Sequence, residues 1–406
     1  MIYDAIIIGG GPSGLICANE FQKNSINYLL LEKNDSVGKK LLITGGKRCN
    51  ITNNLNITEF IDSLTLKHKR FLFKSLNLFG PKNIISYFEN LGLTLKLENN
   101  FKYFPSTNKS ASVLEALLKN IDEKNIKVNQ EVLNIEWINN IYTIKTNTFQ
   151  FNAKRVIIAT GSKSYPSTGS NGDGIKLTKR FNLLYDAFTP AETSVYSSYV
   201  TKELSDLQGV SLLETTLKIK NTKLKTTGAL GFTHFGLSGP AVFHLSESIY
   251  LESLKNNRTI SFNLTSKSEK ELYSIFAHSQ NVYILKVLER LTIKRIAKKI
   301  LELLKVPNKK LIELSKKDIS RIILMLVNFE VEVDRVETVE KAFVNRGGIK
   351  TSELNPTSFE VKKQPGLFLV GETVDLHGPI GGFNITIALS SGYSAANYVI
   401  NQIKNQ

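Results

Sequence analysis

The residues best suited to chemistry sit in three glycine-rich segments, and the first of them is the most specific. An apolar run, Asp4 to Ile8, leads into Gly9-Gly10-Gly11-Pro12-Ser13-Gly14 and then into a helical pattern, Leu15 to Lys23. A second apolar run, Tyr28 to Leu31, ends in Glu32. Strand, glycine turn, helix and second strand in this order form a dinucleotide-binding fingerprint. Gly9 suits the tight turn, Gly11 lets backbone N–H groups approach a pyrophosphate, and Gly14 lets the helix pack close on the strand. The bare N–H groups and positive dipole of the helix start favour a phosphate. Glu32 stands where a carboxylate accepts hydrogen bonds from ribose hydroxyls. A GxGxxG alone is weak evidence, but here every flanking element is in register, so an adenine dinucleotide is expected.

The second segment runs from Gly38 to Asn53 as GKKLLITGGKRCNITN. Lysines and an arginine interleaved with glycines suit a loop laid along phosphates and a ring; a plain solvated basic loop would not need Gly45-Gly46 followed by Cys49-Asn50. The third, GLFLVGETVDLHGPIGGFN from Gly366 to Asn384, is a buried strand ending in Gly371-Glu372, then a glycine loop before a helix. Gly381-Gly382 at that start offers bare N–H groups to an anion. Cys49 is a candidate acid thiol, and His234 and His377 are second choices. A lone histidine is more often a structural hydrogen-bonding group. No paired carboxylates, Ser/His/Asp order or metal-ligand spacing competes with these readings.

The elements that must position these segments follow from the pattern. Lys82 to Leu91 and Ser110 to Lys124 read as helices, and Ile126 to Ile135 as strand. Val132–Trp137, Tyr142–Thr146 and Thr148–Phe151 alternate as strands, with a turn at Asn139-Asn140. A buried strand, Arg155 to Ala159, leads into Thr160-Gly161. From about Thr189 the character changes. Thr193–Tyr199, Leu212–Lys220 and Lys223–Thr227 read as short strands, Asn281–Leu304 and Ser315–Phe329 as helices, and Ser238 as a helix cap with Pro240 at N1. A domain inserted between two halves of a nucleotide-binding domain explains this order.

Composition is that of an ordinary folded protein: 406 residues, 42% hydrophobic and 22% charged. The chain is long enough for two or three domains. No apolar run approaches the ~18 residues of a membrane span. The chain starts directly on a strand, without signal-peptide regions, and its two cysteines build no disulfide framework. A cytoplasmic location with no membrane and no obligate protein partner is expected.

Taken together, the motifs resemble the BaiN/RdsA family of FAD-dependent oxidoreductases. They are GGGPSG (Gly9–Gly14), GKKLLITGGKRCNITN (Gly38–Asn53), ATGSKSYPSTGSNGDG (Ala159–Gly174), FTHFGLSGPA (Phe232–Ala241), NRGGI (Asn345–Ile349) and GLFLVGETVDLHGPIGGFN (Gly366–Asn384). Ser162 and Lys47 depart from glycines common in relatives. The resemblance implies an α/β fold: a Rossmann-like FAD-binding domain over residues 1–188 and 346–406. It also implies an inserted β-barrel over 189–255 and 330–345, and a basic helical cap over 256–329. The implied cofactor contacts begin with Gly9, Gly11, Pro12, Ser13, Gly14, Glu32 and Lys33. Lys40, Leu41, Gly45, Gly46, Arg48, Cys49 and Asn50 follow, then Val132, Thr160 and Gly161. Gly371, Glu372, Gly381, Gly382, Phe383 and Asn384 complete the implied site.

The implied chemistry is reduction of an activated C=C bond by NAD(P)H through FAD. One branch acts on uridine of 23S ribosomal RNA to give dihydrouridine; others act on bile-acid intermediates or amines. Charge helps to choose between them. The chain carries a formal charge of +16, which coding bias toward Lys and Asn alone could produce. Residues 286–321, however, hold twelve Lys/Arg against four acids. Lys286, Arg290, Lys294 and Lys298 recur every four residues, as along one helix face. Arg70, with Lys67, Lys69 and Lys74 interleaved with Phe71 and Phe73, adds a second basic patch. An RNA surface is therefore expected, with Cys49 protonating C5 after hydride reaches C6.

Overall fold

Short runs that are apolar on both faces must be covered on both faces, which is the signature of a parallel sheet. In the computed structural model, which describes residues 1–405, four such runs and a half-exposed edge strand pair in parallel. Their order is Leu367–Leu369, Val156–Ile158, Ala5–Ile8, Tyr28–Leu31 and Ile126–Lys127. Ile7 lies opposite Ile157 on one side and Leu30 on the other, and all three are fully buried. The first helix, Pro12–Lys23, packs against the last, Phe383–Lys404. Cys17 is locked between them as an apolar residue, its thiol donating to Gly392 O at 3.1 Å. This register sets Gly9, Thr160 and Val370 at the same end of three adjacent strands, where doubly wound sheets bind ligands.

A second sheet of Ile2–Tyr3, Gln150–Ala153, Ile141–Thr146 and Val132–Ile138 accompanies the first. Its hairpin turns at Asn139 and Asn140, whose φ angles of 50° and 62° suit a two-residue turn. Two expected boundaries shift. The helix from Ser110 ends at Leu118, and the run Ile126–Ile135 is divided between the two sheets. Asn129, at φ 56°, turns the chain between them.

The chain falls into two compact units: Met1–Thr189 together with residues 339 onward, and Pro190–Thr338. The inserted unit holds an antiparallel sheet in the order Phe329–Glu332, Thr259–Phe262, Ser211–Ile219, Lys225–Phe232, Gly236–Ser238, Val195–Tyr196 and Arg335–Val336. Only Val333 and Asp334 separate the two outermost strands in sequence, so the sheet curls back on itself. Its helices share the sheet's core: Leu272, Ile296 and Ile322 belong to one buried cluster with Leu217 and Phe262. Residues 256–329 are thus continuous with the sheet rather than a separately cored layer. The expected helix Asn281–Leu304 is two helices, Ile284–Leu291 and Lys294–Leu304. Thr292 breaks it, with ψ 178° and its hydroxyl donating to Leu264 O at 2.6 Å. Ser238 does not cap the helix Pro240–Ser253; its hydroxyl meets Ser194 Oγ at 3.1 Å, and Gly239 at φ 105° occupies the cap position.

Candidate functional site

The glycine turn forms as its sequence requires. A methyl on Gly14 would lie 2.0 Å from Gly9 O, so no other residue lets the helix sit this close. The space beside Gly11 is open: a Cβ there meets nothing within 4 Å. Gly11 is also the N-cap of the first helix, with no side chain bonded into the cap. Open backbone with uncapped N–H groups is a cradle for an anion. Glu32 is 7% exposed and closes one side. Its Oε2 accepts Gly10 N–H at 2.8 Å; its Oε1 accepts Asn34 N–H at 2.9 Å and Asn34 Nδ2–H at 2.7 Å. Gln130 N–H donates to Glu32 O at 2.8 Å, and Val132, two residues on, starts a strand of the second sheet.

The third segment is drawn onto this turn. Gly371 packs against Ser13, with 2.3 Å between its would-be Cβ and Ser13 Oγ. Glu372 accepts from Lys40 Nζ at 2.6 Å and from Ser162 Oγ at 3.0 Å. Ser162 thus commits its hydroxyl to Glu372. Burial opposes charge on Glu372, but Lys40, Ser162 and nearby His377 outweigh it and hold its carboxyl below the usual range. Gly161 N–H donates to Thr373 Oγ1 at 3.1 Å, and Lys33 pairs with Asp173 at 2.5 Å.

The second segment meets the last helix. Gly382, at φ 85°, is its N-cap without a side-chain cap, and a Cβ there would lie 2.6 Å from Thr52 C and O. Asn53 Nδ2 donates to Gly381 O at 3.2 Å, and Thr52 Oγ1 lies 2.8 Å from Thr386 Oγ1. The Asn50 amide is oriented by its partners: its oxygen accepts Gly382 N–H at 3.0 Å, and its nitrogen donates to Thr52 O at 2.8 Å and Tyr103 O at 3.1 Å. Asn384 clasps the loop before Phe383, accepting Gly378 N–H at 2.9 Å and donating to Gly378 O at 2.8 Å. Leu41 is buried, whereas Gly45 and Gly46 are exposed in left-handed conformations. Residues more than three hundred positions apart therefore make one site with two uncapped helix starts. Such a site fits a dinucleotide with a second group that gains negative charge, as the flavin of FAD does on reduction.

Four expectations change. Arg48 is committed elsewhere: its guanidinium pairs with Glu98, bonds Asn108 Oδ1 at 2.6 Å and covers the Phe104 ring at 4.2 Å. Cys49 is fully buried, and burial pushes its thiol up to about 12, the opposite of a polarised acid. Lys286, Arg290, Lys294 and Lys298 are all exposed, but they lie on two helices rather than one face. Phe71 stacks edge-on against buried Phe359 at 5.3 Å, leaving Phe73 as the exposed aromatic beside Lys67, Arg70 and Lys74. His377 is 3% exposed, and His234 lies exposed on the inserted unit. The sequence pattern does not single out His68, whose Nε2 reaches Asp375 O at 2.6 Å; its setting among lysines points to charge and hides this contact. No described helix is long and apolar enough to cross a membrane.

Comparison with known proteins places this geometry. A ribosomal RNA dihydrouridine synthase of Escherichia coli (strain K12) is 26% identical over 98% of this chain and 98% of its own. A 3-dehydro-bile acid delta(4,6)-reductase of Clostridium scindens is 27% identical over 96% of this chain and 97% of its own. The 3-ketosteroid-delta4-(5alpha)-dehydrogenase of Rhodococcus jostii RHA1 superposes with a TM-score of 0.55 at 12% identity, covering 98% of this chain and 96% of that one. A flavocytochrome c3 fumarate reductase gives 0.52 at 15% identity, covering 98% and 78%. The fold is therefore the Rossmann-type, FAD-binding flavoprotein fold. The model of the HI0933-like protein Rossmann domain matches residues 3–398, and this chain belongs to that family of flavin-dependent oxidoreductases.

Proposed function

We propose that this protein uses NAD(P)H to reduce uridine to dihydrouridine in 23S rRNA or its precursor particle, in the cytoplasm. FAD, when bound, carries the hydride between the nicotinamide and the C=C bond. The chain's own residues would hold it: Gly11 and Ser13 at the pyrophosphate, Glu32 at the ribose, and the Gly382 helix start at the ring.

One observation carries the RNA substrate over a small one. The basic residues of the inserted unit separate into structural and idle sets. Arg295 Nη2 donates to Gln208 O at 3.0 Å, and Lys299, 7% exposed, pairs with Asp206 at 3.0 Å and Glu302 at 2.9 Å. Lys286, Arg290 and Lys298 point to solvent with no ion pair among the described residues, and Lys294 has only a 4.0 Å contact with Glu289. Exposed cations that neither pack nor pair do nothing for the fold, and an RNA backbone gives them a role. The full-length likeness to a ribosomal RNA dihydrouridine synthase agrees. The likeness to the bile-acid reductase is as extensive, but a small neutral substrate would leave these cations unused.

The test is a deletion strain whose 23S rRNA is mapped for dihydrouridine. Loss of one modification, restored by the intact gene, is expected; an unchanged map overturns the substrate. Replacing the four idle residues by Gln should leave Tm and flavin content unchanged. It should lower the slope of log affinity against log salt by about 0.7 for each phosphate of single-stranded RNA that is no longer neutralised.

A further inference from the structure

The nucleotide unit holds a histidine outside every glycine motif, fixed against the loop that joins Gly371 to Gly382. His68 Nε2 lies 2.6 Å from the backbone oxygen of Asp375 and 3.6 Å from its Oδ2. A carbonyl oxygen only accepts, so Nε2 carries the proton and the tautomer is set. Nδ1 has no hydrogen bond among the described residues, and the side chain is 33% exposed. Asp375 is itself immobilised: it is 6% exposed, Oδ1 accepts Gly347 N–H at 3.0 Å, and its own N–H donates to Ile349 O at 2.8 Å.

This is the pairing of a proton-transfer group with an orienter. One ring nitrogen is anchored as a donor to Asp375 O, and the other is left open to exchange a proton. The charged groups around it are few. Asp375 faces it from the loop. Lys67, Lys69 and Arg70 flank it in sequence, and Lys69 is drawn off toward Asp62 at 3.6 Å. The alternative acids of the same unit are closed in: Cys49 is 0% and His377 3% exposed.

Resting on the reductase reading above, we infer that His68 is the acid that completes the reduction. Hydride adds to one carbon of the activated double bond, C6 in uracil, and its electron pair becomes the new C–H bond. The π pair moves to the neighbouring carbon, C5, as an enolate. The imidazolium form of His68 protonates that carbon from Nδ1, leaving the neutral Nε2–H tautomer, and solvent returns a proton to Nδ1. Oxidised nicotinamide is the co-product, so two electrons and two hydrogens are accounted for. The same acid serves an enone, whose α-carbon needs the same proton.

The experiment separates the half-reactions of the FAD-loaded enzyme by stopped flow, with an rRNA fragment and a conjugated enone as acceptors. His68→Gln retains an N–H for Asp375 O but has no titrating proton. Acceptor-driven flavin reoxidation should slow about 10²- to 10⁴-fold more than flavin reduction by NAD(P)H. Imidazole added to His68→Ala should restore part of that rate. Apart from turnover, ¹⁵N-histidine NMR of the full-length protein should show His68 as the Nε2–H tautomer, with its signal moved by Asp375→Asn. An active wild type whose His68→Gln variant reoxidises normally overturns the inference alone. A wild type inert toward rRNA but active on the enone overturns the RNA substrate and leaves His68 to be judged on the enone. A wild type inert toward both removes the reductase reading and this inference together.

Discussion

The helix starts at Gly11 and Gly382 face the same problem and are secured differently. At the first, a carboxylate ties the glycine turn: Glu32 accepts Gly10 N–H and both Asn34 donors. At the second, neutral amides do this work: Asn50 accepts Gly382 N–H, and Asn384 clasps Gly378. The difference fits the charge that each start would meet under the proposed function. A pyrophosphate carries its charge throughout, and a nearby carboxylate can be spared for ribose hydroxyls. A flavin ring gains negative charge only on reduction. A fixed anion at that start would cancel the half-charge of the helix terminus before it was needed. A neutral amide orders the loop and leaves the dipole free.

Substitution by alanine should divide the two starts most sharply. At Gly382 a methyl would meet Thr52 backbone at 2.6 Å, and φ is 85°. A non-glycine residue in such a conformation costs on the order of 1–3 kcal/mol before the clash is counted. Gly382→Ala should lower Tm by at least ~5 °C and shed flavin. At Gly11 φ is −81° and the methyl meets no atom. Gly11→Ala should keep its Tm without flavin yet bind FAD more weakly, because the methyl occupies the cradle. Thermal melts with and without FAD read both; an unchanged melt for Gly382→Ala would break the contrast.

Glu32→Gln should fall between these in size. The carboxylate receives three N–H donors, and an amide has one oxygen to receive them. At least one buried donor loses its partner, at a cost of about 1–3 kcal/mol. Stability measured by urea titration should drop without flavin, and FAD affinity should drop further as the ribose loses an acceptor. Equal affinity in variant and wild type would remove the ribose role.

How much of this is legible in the sequence depends on the range of each cause. Gly9, Gly14 and Gly382 announce themselves because steric demands act on the residue itself. Glu32 does so because strand length fixes its place. Ser162 reads as a lost glycine until Glu372 appears beside it, 210 positions away. His68 reads as one more polar residue among lysines until Asp375 is folded onto it. Arg48 looks like a phosphate ligand because nothing local shows that Glu98 and Phe104 will claim it. The single basic helix fails for a local reason: Thr292-Ile293 is a β-branched pair, and Thr292 has a carbonyl to bond.

The smallest effect tests the neutral tie itself. Asn50→Asp puts a carboxylate on Gly382 N–H, but it also strips the donors from Thr52 O and Tyr103 O. Asn50→Ala strips the same donors and adds no charge. Both variants should therefore lose similar stability, and what differs between them reports the charge alone. A negative charge at a helix start offsets about 0.3–1 kcal/mol of the dipole's pull on another anion. For a two-electron couple that is on the order of 10–20 mV. Anaerobic redox titration should find the flavin of Asn50→Asp lower in midpoint potential than that of Asn50→Ala by this amount. Equal potentials would mean that the second helix start never meets a charge that develops on reduction. The choice of amide over carboxylate would then be a matter of loop geometry alone.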